Sequence, residues 1–394
     1  MSALYLLDPS PSPAWAPFAG VRPVAELRAG VWRIRERWEG ALRMDTGAIL
    51  GEGIAPFNES DEPSCREPGP IEGPAVVALS DFAPSGVPPE VAPGVRRLAH
   101  ESGTVAWIVQ PGETWPGPND DGPAAPIEGL RLRGAWDLLN ALDLYLDPDC
   151  RDFLADRSHS DPVPGGSVVL GDPGDIVLRG ALVEPGVVFD VRRGPIVLEE
   201  AVEVRHGTRL EGPLYAGPNT RLLGGFIRTS VFGPWCVMRG EIAASVFLGY
   251  ANKAHDGFVG SSLVGRWVNL GAGTTTSNLK NTYGEVRLSV AGRTIPTGRM
   301  NLGSLIGDHA KTAIGTMLPT GTVIGAGANV FGASQVPKYV PPFAWGLDGR
   351  ELLDEEGFLR VAGRVMPRRQ VEFTEARQAS LRAAYRRAVS GAQG

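Results

Sequence analysis

His255 lies in a stretch, residues 248–280, that also holds Asn252, Lys253, Asn269, Asn278 and Lys280. The only lysines in the chain are Lys253, Lys280, Lys311 and Lys338, and arginine carries the rest of the positive charge. Two of those four lysines therefore flank the best candidate base. A histidine side chain titrates near neutrality and can accept a proton from a nucleophile. Asparagine can hold a hydroxyl or an amide. Backbone N–H groups at a glycine corner can polarise a carbonyl. The plain alternative is a surface histidine beside loop asparagines. For His206 and His309, alone in their repeats, that alternative is the reading taken.

The elements that must position these groups are repeats of six. Aliphatic or small residues recur at Leu170, Ile176, Leu182 and Val188. After a slip of phase they recur from Ile196 through Val202, Thr208, Leu214, Thr220, Phe226, Phe232 and Met238 to Ala244. The pattern returns at Val264 and Leu270, then from Ile306 through Thr312, Leu318 and Ile324 to Val330. Neither a helical period of 3.6 nor a strand period of two explains strict sixes. Hexapeptide repeats predict a left-handed parallel β-helix, three short strands to a coil, the repeated residue pointing inward and glycine easing the corners. Residues 281–299 break the sixes and read as a hairpin turning at Ala291-Gly292. It projects from a corner, either toward a neighbouring subunit or as a plain surface feature.

The β-helix is expected over residues 167–336. Residues 1–160 carry α/β signals: strands at 4–7 and 75–79, a helix with Leu27, Val31, Ile34 and Trp38 on one face, and another with Trp136, Leu139, Leu142 and Leu146. Residues 337–394 form a tail ending in a helix over 374–389. A net charge of −6 without a basic stripe argues against nucleic-acid binding. Cys65, Cys150 and Cys236 are widely spaced and suggest neither zinc nor a disulfide framework. The start, MSALYLLD, lacks the basic region of a signal peptide, and no apolar run is of membrane-spanning length. A cytoplasmic location is the expectation, with no metal site in the repeats.

The order His255, Val259-Gly260, Val264-Gly265, Asn269-Leu270-Gly271-Ala272-Gly273-Thr274, Asn278 resembles the acetyltransferase domain of the bifunctional glucosamine-1-phosphate acetyltransferase / N-acetylglucosamine-1-phosphate uridyltransferase family. The resemblance implies that His255 deprotonates a sugar amine, which attacks the thioester of acetyl-CoA directly. It implies Asn269 and Asn278 as substrate or acyl contacts, Gly271, Ala272 and Thr274 along the CoA, and a homotrimer with CoA between adjacent β-helices. Lys253 and Lys280 suggest a basic cleft for the CoA or the sugar phosphate, and Arg239 is a further candidate for the phosphate. The chain departs from the family at Phe258, where a tyrosine is usual, and at Leu279-Lys280, where Tyr-Asp is usual.

The N-terminal half resembles the nucleotidyltransferase part of the same enzymes with its phosphate loop lost. A glycine-rich loop should follow the first strand, its N–H groups cradling phosphates. Here that strand runs into Asp8-Pro9-Ser10-Pro11-Ser12-Pro13, and proline has no N–H to give. Arg22-Pro23-Val24 stands where an Arg-Pro-Lys would. Over the whole chain, RPVAELR, NKAHDG, NLKN and RVMPRR (364–369) resemble a shortened group of sugar nucleotidyltransferase-like proteins. Asp8, Arg22, Glu26 and Arg28 are candidates for a sugar phosphate or a magnesium nucleotide, magnesium being required only if this domain is active. The alternative for them is a buried Arg/Glu pair steadying a vestigial fold. The expectation is an acyl-CoA-dependent N-acetyltransferase acting on an amino sugar phosphate. Nucleotidyl transfer on a trimeric scaffold, and a non-catalytic trimeric assembly protein, are the other two readings.

Overall fold

The computed structural model describes residues 3–59, 62–156, 160–333 and 335–391. The N-terminal α/β part is built on a seven-stranded mixed sheet. Ala3–Leu7 lies at its heart, parallel to Thr46–Leu50 on one side and to Ala75–Leu79 on the other. Gly103–Val109 then adds antiparallel to Ala75–Leu79. Helix α1 (Ile34–Leu42) is shorter than the apolar spacing suggests. Leu27 and Val31 fall outside it because Arg28–Ala29 and Trp32–Arg33 pair as a tight hairpin across Gly30, whose φ is +72°. Helix α2 (Asp137–Ala155) begins just after Trp136.

From Val168 onward the chain winds as a left-handed parallel β-helix. One face is a ladder of nine strands from Ile176–Leu178 to Tyr339–Val340, all pairs parallel. Its register gives the coil length, eighteen residues from Ile196 to Leu214 and from Ser304 to Thr322, with tighter coils between, as from Tyr215 to Val231 and from Val231 to Val246. Leu263 pairs with Leu305, a jump that accommodates the inserted hairpin Arg287–Val290 and Arg293–Pro296. The interior is a continuous aliphatic stack that includes Val204, Leu222, Met238, Leu270 and Val330.

Several of the repeated residues do not point inward. Leu182 is 67 % exposed, Val188 is half-buried while its neighbours Val187 and Phe189 are buried, and Phe226 lies outward under the guanidinium groups of Arg209 and Arg228. At Phe226 the cause is local. Val204 pairs with Leu222 eighteen residues on but Leu210 pairs with Ile227 only seventeen on, so one residue is lost there and Ile227 is buried instead.

The two parts share a core. α2 packs on the nine-stranded face, and a single apolar cluster runs from Leu6 and Trp38 through Leu139 to Val197 and Leu263. The hairpin joins this cluster through Val286, Leu288 and Val290. Arg299, just beyond it, forms an ion pair with Asp143 at 3.1 Å. The insertion is therefore a clamp on its own N-terminal part. In the tail, α3 (Glu355–Val365), which the repeats did not foretell, precedes α4 (Glu375–Gly391). Among the described residues no helix is long and apolar enough to cross a membrane.

Candidate functional site

His255 sits exposed on the corner between the strands Asn252–Lys253 and Phe258–Gly260. Arg239 occupies the same corner one coil earlier, and its Nε donates to Asp256 at 3.1 Å. Gly271, Ala272 and Gly273 occupy it one coil later, with Gly273 N–H donating to the Asp256 carbonyl at 2.9 Å. The N–H groups of Gly271 and Thr274 are likewise committed, to the carbonyls of Thr312 and Gly271, and Thr274 is buried. Ala272 is half-buried in this turn and Gly273 exposed. One further coil on, the edge continues as Ile314, 83 % exposed.

Lys253 is not a surface lysine. It pairs with Met238 in the inward-facing ladder and is 1 % exposed. Its ammonium reaches the corner from inside and donates to the carbonyls of His255 at 2.7 Å and Arg239 at 3.1 Å. The lysine thus ties down the backbone that carries His255. The sequence signal exists: Lys253 stands six residues after buried Phe247 and six before buried Val259.

The asparagines flank this corner on different faces. Asn269 is outward on the face before it, accepting from Asn252 Nδ2 at 2.6 Å. Asn278 lies beyond the far end of Phe258–Gly260, where its amide donates to Ser261 Oγ at 3.2 Å. Phe258 and Asn278 meet over Gly260, where a Cβ would stand 2.3 Å from the ring and 3.1 Å from the amide nitrogen. Lys280 is further off, its Nζ on the Glu285 carbonyl at 2.9 Å. One chain therefore gathers His255, Arg239 and the Gly271–Ala272 turn along an edge and holds Asn269, Asn278 and Lys280 on adjoining surfaces. Of the other histidines, His206 is exposed, whereas His309 is buried between Trp267 and Phe358.

Burial pushes the Lys253 ammonium down to about 8. An unfolded lysine titrates near 10.4. Between these values the unfolded chain holds the proton and the folded chain does not. The contribution to stability is thus present above about 10.4 and lost as pH falls through about 8. Lys253→Met, which suits the ladder between Met238 and Leu270, should match or exceed the parent's stability at pH 7. At pH 10 the comparison should move in the parent's favour by roughly 2 kcal/mol. Urea midpoints of both proteins at the two pH values measure this. An unchanged difference would mean that the ammonium is solvated.

In the N-terminal part the four candidates are engaged internally. Asp8 is partly buried and accepts the N–H groups of Val24 and Ala25 at 2.7 and 3.2 Å. Its carboxyl is pushed up to about 7, chiefly by burial. Glu26 bridges Arg33 and Arg35. Arg28 donates to the Val31 carbonyl. Arg22 crosses to the β-helix, with Nε on Asp308 at 2.8 Å and its other nitrogens on Glu59. Asp8 is thus committed to backbone N–H groups, and no group of three or more His, Cys, Asp or Glu suited to a metal occurs among the described residues. α4 lies over the loops that follow the parallel strands Ala3–Leu7 and Thr46–Leu50. Arg387 donates to the Gly20 carbonyl, and Ser380 Oγ accepts from Asn58 N–H at 3.1 Å.

The sequence model of the sugar nucleotidyl transferase family matches residues 5–67. A bifunctional sugar-1-phosphate nucleotidylyltransferase/acetyltransferase of Sulfurisphaera tokodaii is 31 % identical over 154 residues, 38 % of this chain and 38 % of that protein. The bifunctional protein GlmU of Methanococcus vannielii is 32 % identical over 125 residues, 31 % of this chain and 28 % of that protein. That of Methanocaldococcus jannaschii is 26 % identical over 214 residues, 51 % of this chain and 44 % of that protein. The chain spans less than half the length of each of these relatives. Over these partial stretches the chain is similar to the bifunctional sugar-1-phosphate nucleotidylyltransferase/acetyltransferases, and its residues 5–67 are similar to the sugar nucleotidyl transferase family.

Proposed function

We propose that the chain is an acyl-CoA-dependent N-acetyltransferase acting on an amino sugar phosphate, with His255 as general base and an N-terminal domain that no longer transfers nucleotides. The observation that carries this reading is an exposed imidazole on a corner whose backbone is anchored from within by Lys253, in line with the Ala272 turn. His255 takes a proton from the amine as its nitrogen attacks the thioester carbonyl. The Ala272 N–H faces the developing oxyanion. The C–S bond then breaks and the CoA thiolate leaves. Asn269 and Asn278 hold the acceptor and the acyl group. Exposed Ile314 and Met317 beside this edge favour a second copy packing there, which would give a homotrimer with shared clefts.

Nucleotidyl transfer is the second reading, favoured by the family match at residues 5–67. Against it stand the prolines after the first strand and the seat of α4 at the end of the sheet where α/β folds bind ligands. Mass spectrometry of reactions containing acetyl-CoA and a panel of amino sugar phosphates, with light scattering for mass, tests the proposal. One acetylated sugar phosphate and a trimer are expected. Pyrophosphate release from UTP or dTTP with a sugar 1-phosphate and magnesium should be undetectable. Robust release with no acetylated product would reverse the assignment, and neither product would favour an assembly role.

A further inference from the structure

A cavity of about 310 Å³ opens between the β-helix and the turn Met366–Arg369 that follows α3. Its β-helix wall carries Asn252, Asn269 and Lys311, which are neighbours in register on successive coils. Arg368 and Arg369 line the opposite side. Beside them Trp267 and Tyr250 stack with ring centroids 4.3 Å apart. Among the described residues no carboxylate lines this cavity. That is unusual for a chain in which Arg205, Arg209, Arg266 and Arg382 each meet two carboxylates. Among the described residues Lys311 Nζ donates to the His309 carbonyl, at 3.0 Å, and meets no carboxylate.

The cations gain nothing for the fold by meeting here. Burial holds the Lys311 ammonium down to about 8. Burial also lowers Arg369, and Arg368 and Arg221 press it further in the same direction. Desolvated like charges are tolerated where an anion completes them. The donor set suits one kind of anion. Two planar guanidinium forks, an ammonium and the Asn269 amide supply more donors than a carboxylate can accept, and they match the three free oxygens of a phosphate monoester. The aromatic wall adds an apolar surface for the body that carries the phosphate.

We propose that this cavity binds a phosphate monoester on a small organic body, held by Lys311, Arg368 and Arg369. The site shares Asn269 with the acyl-transfer surface, yet it stands whether or not acyl transfer occurs there. Two sources offer the same chemistry: the phosphate of a sugar phosphate, or the 3′-phosphate at the adenosine end of an acyl-CoA.

Isothermal titration of the full chain with inorganic phosphate, glucosamine 1-phosphate, adenosine 3′,5′-bisphosphate and glucosamine, which lacks the phosphate, tests this without any turnover. At least one ester should saturate the protein and bind more tightly than inorganic phosphate. Binding should weaken as salt is raised, and glucosamine should not compete. Lys311→Met and the exposed-site variant Arg368→Ala should each weaken that ester by about tenfold, the loss of one charge-assisted hydrogen-bond set. Saturation by the sugar phosphate alone assigns the cavity to the acceptor. Saturation by the bisphosphate alone assigns it to the acyl donor. No saturable binding of any phosphate probe at millimolar concentration, or a Kd unchanged in Arg368→Ala and Lys311→Met, would overturn the site. A protein that binds an ester here but acetylates nothing would separate this inference from the proposed reaction.

Discussion

His255→Ala is expected to slow acyl transfer by about 10²–10⁴-fold, the usual contribution of a general base. The loss should appear in kcat with little change in KM, because the imidazole accepts a proton in the transition state and need not hold the acceptor beforehand. Stability should change by less than about 0.5 kcal/mol, as for other exposed positions. The geometry makes this separation clean. The imidazole is exposed at a corner, whereas the anchoring bond from Lys253 goes to the main-chain carbonyl of residue 255 and survives the substitution. Added imidazole should restore part of the rate. Full activity in the alanine variant would remove His255 from the chemistry. A large fall in melting temperature would recast it as a structural residue.

The architecture was legible because hexapeptide spacing is a property of near neighbours. Each coil rests on the next, so Ile196, Leu214, Ile306 and Ile324 announce the ladder without any long-range information. Where a coil is one residue short, as between Leu222 and Ile227, counting by six fails and only the pairing register tells which side chain turns inward. The corner with His255 and Ala272 was legible for the same reason as the ladder. The burial of Lys253 is written in the six-residue spacing, yet a lysine in an aliphatic stack contradicts the ordinary preference for exposure. Other features lie beyond any local pattern. The cavity beneath Arg368 and Arg369 exists only because a helix some hundred residues after Asn269 folds back onto the coil. The bond from Arg22 to Asp308 joins residues 286 apart. No spacing rule places such partners together.

That bond sets the second expectation. Arg22→Met should destabilise the protein by about 3–5 kcal/mol, the range for breaking a buried ion pair on one side only. The Arg22 side chain is 1 % exposed and faces Asp308, Glu59 and Glu62, with the Glu62 carboxylate 3.6 Å away. Arg266 meets the same two glutamates, so it alone would be left to compensate three carboxylates. Methionine fills much of the volume but supplies no charge. The deficit therefore comes from stranded anions rather than from a void. Replacing one of them as well, in Arg22→Met/Glu59→Gln, should recover part of the loss, and the double-mutant cycle should show a coupling of about 1–3 kcal/mol. Denaturant midpoints for the parent, both single variants and the double variant supply the four corners. The experiment also decides between two roles for this residue. A phosphate ligand at the mouth of the N-terminal sheet would leave stability nearly untouched when removed and would weaken nucleotide binding. A peg between the sheet and the β-helix would do the reverse, and the guanidinium that links Glu59 to Asp308 is placed as a peg.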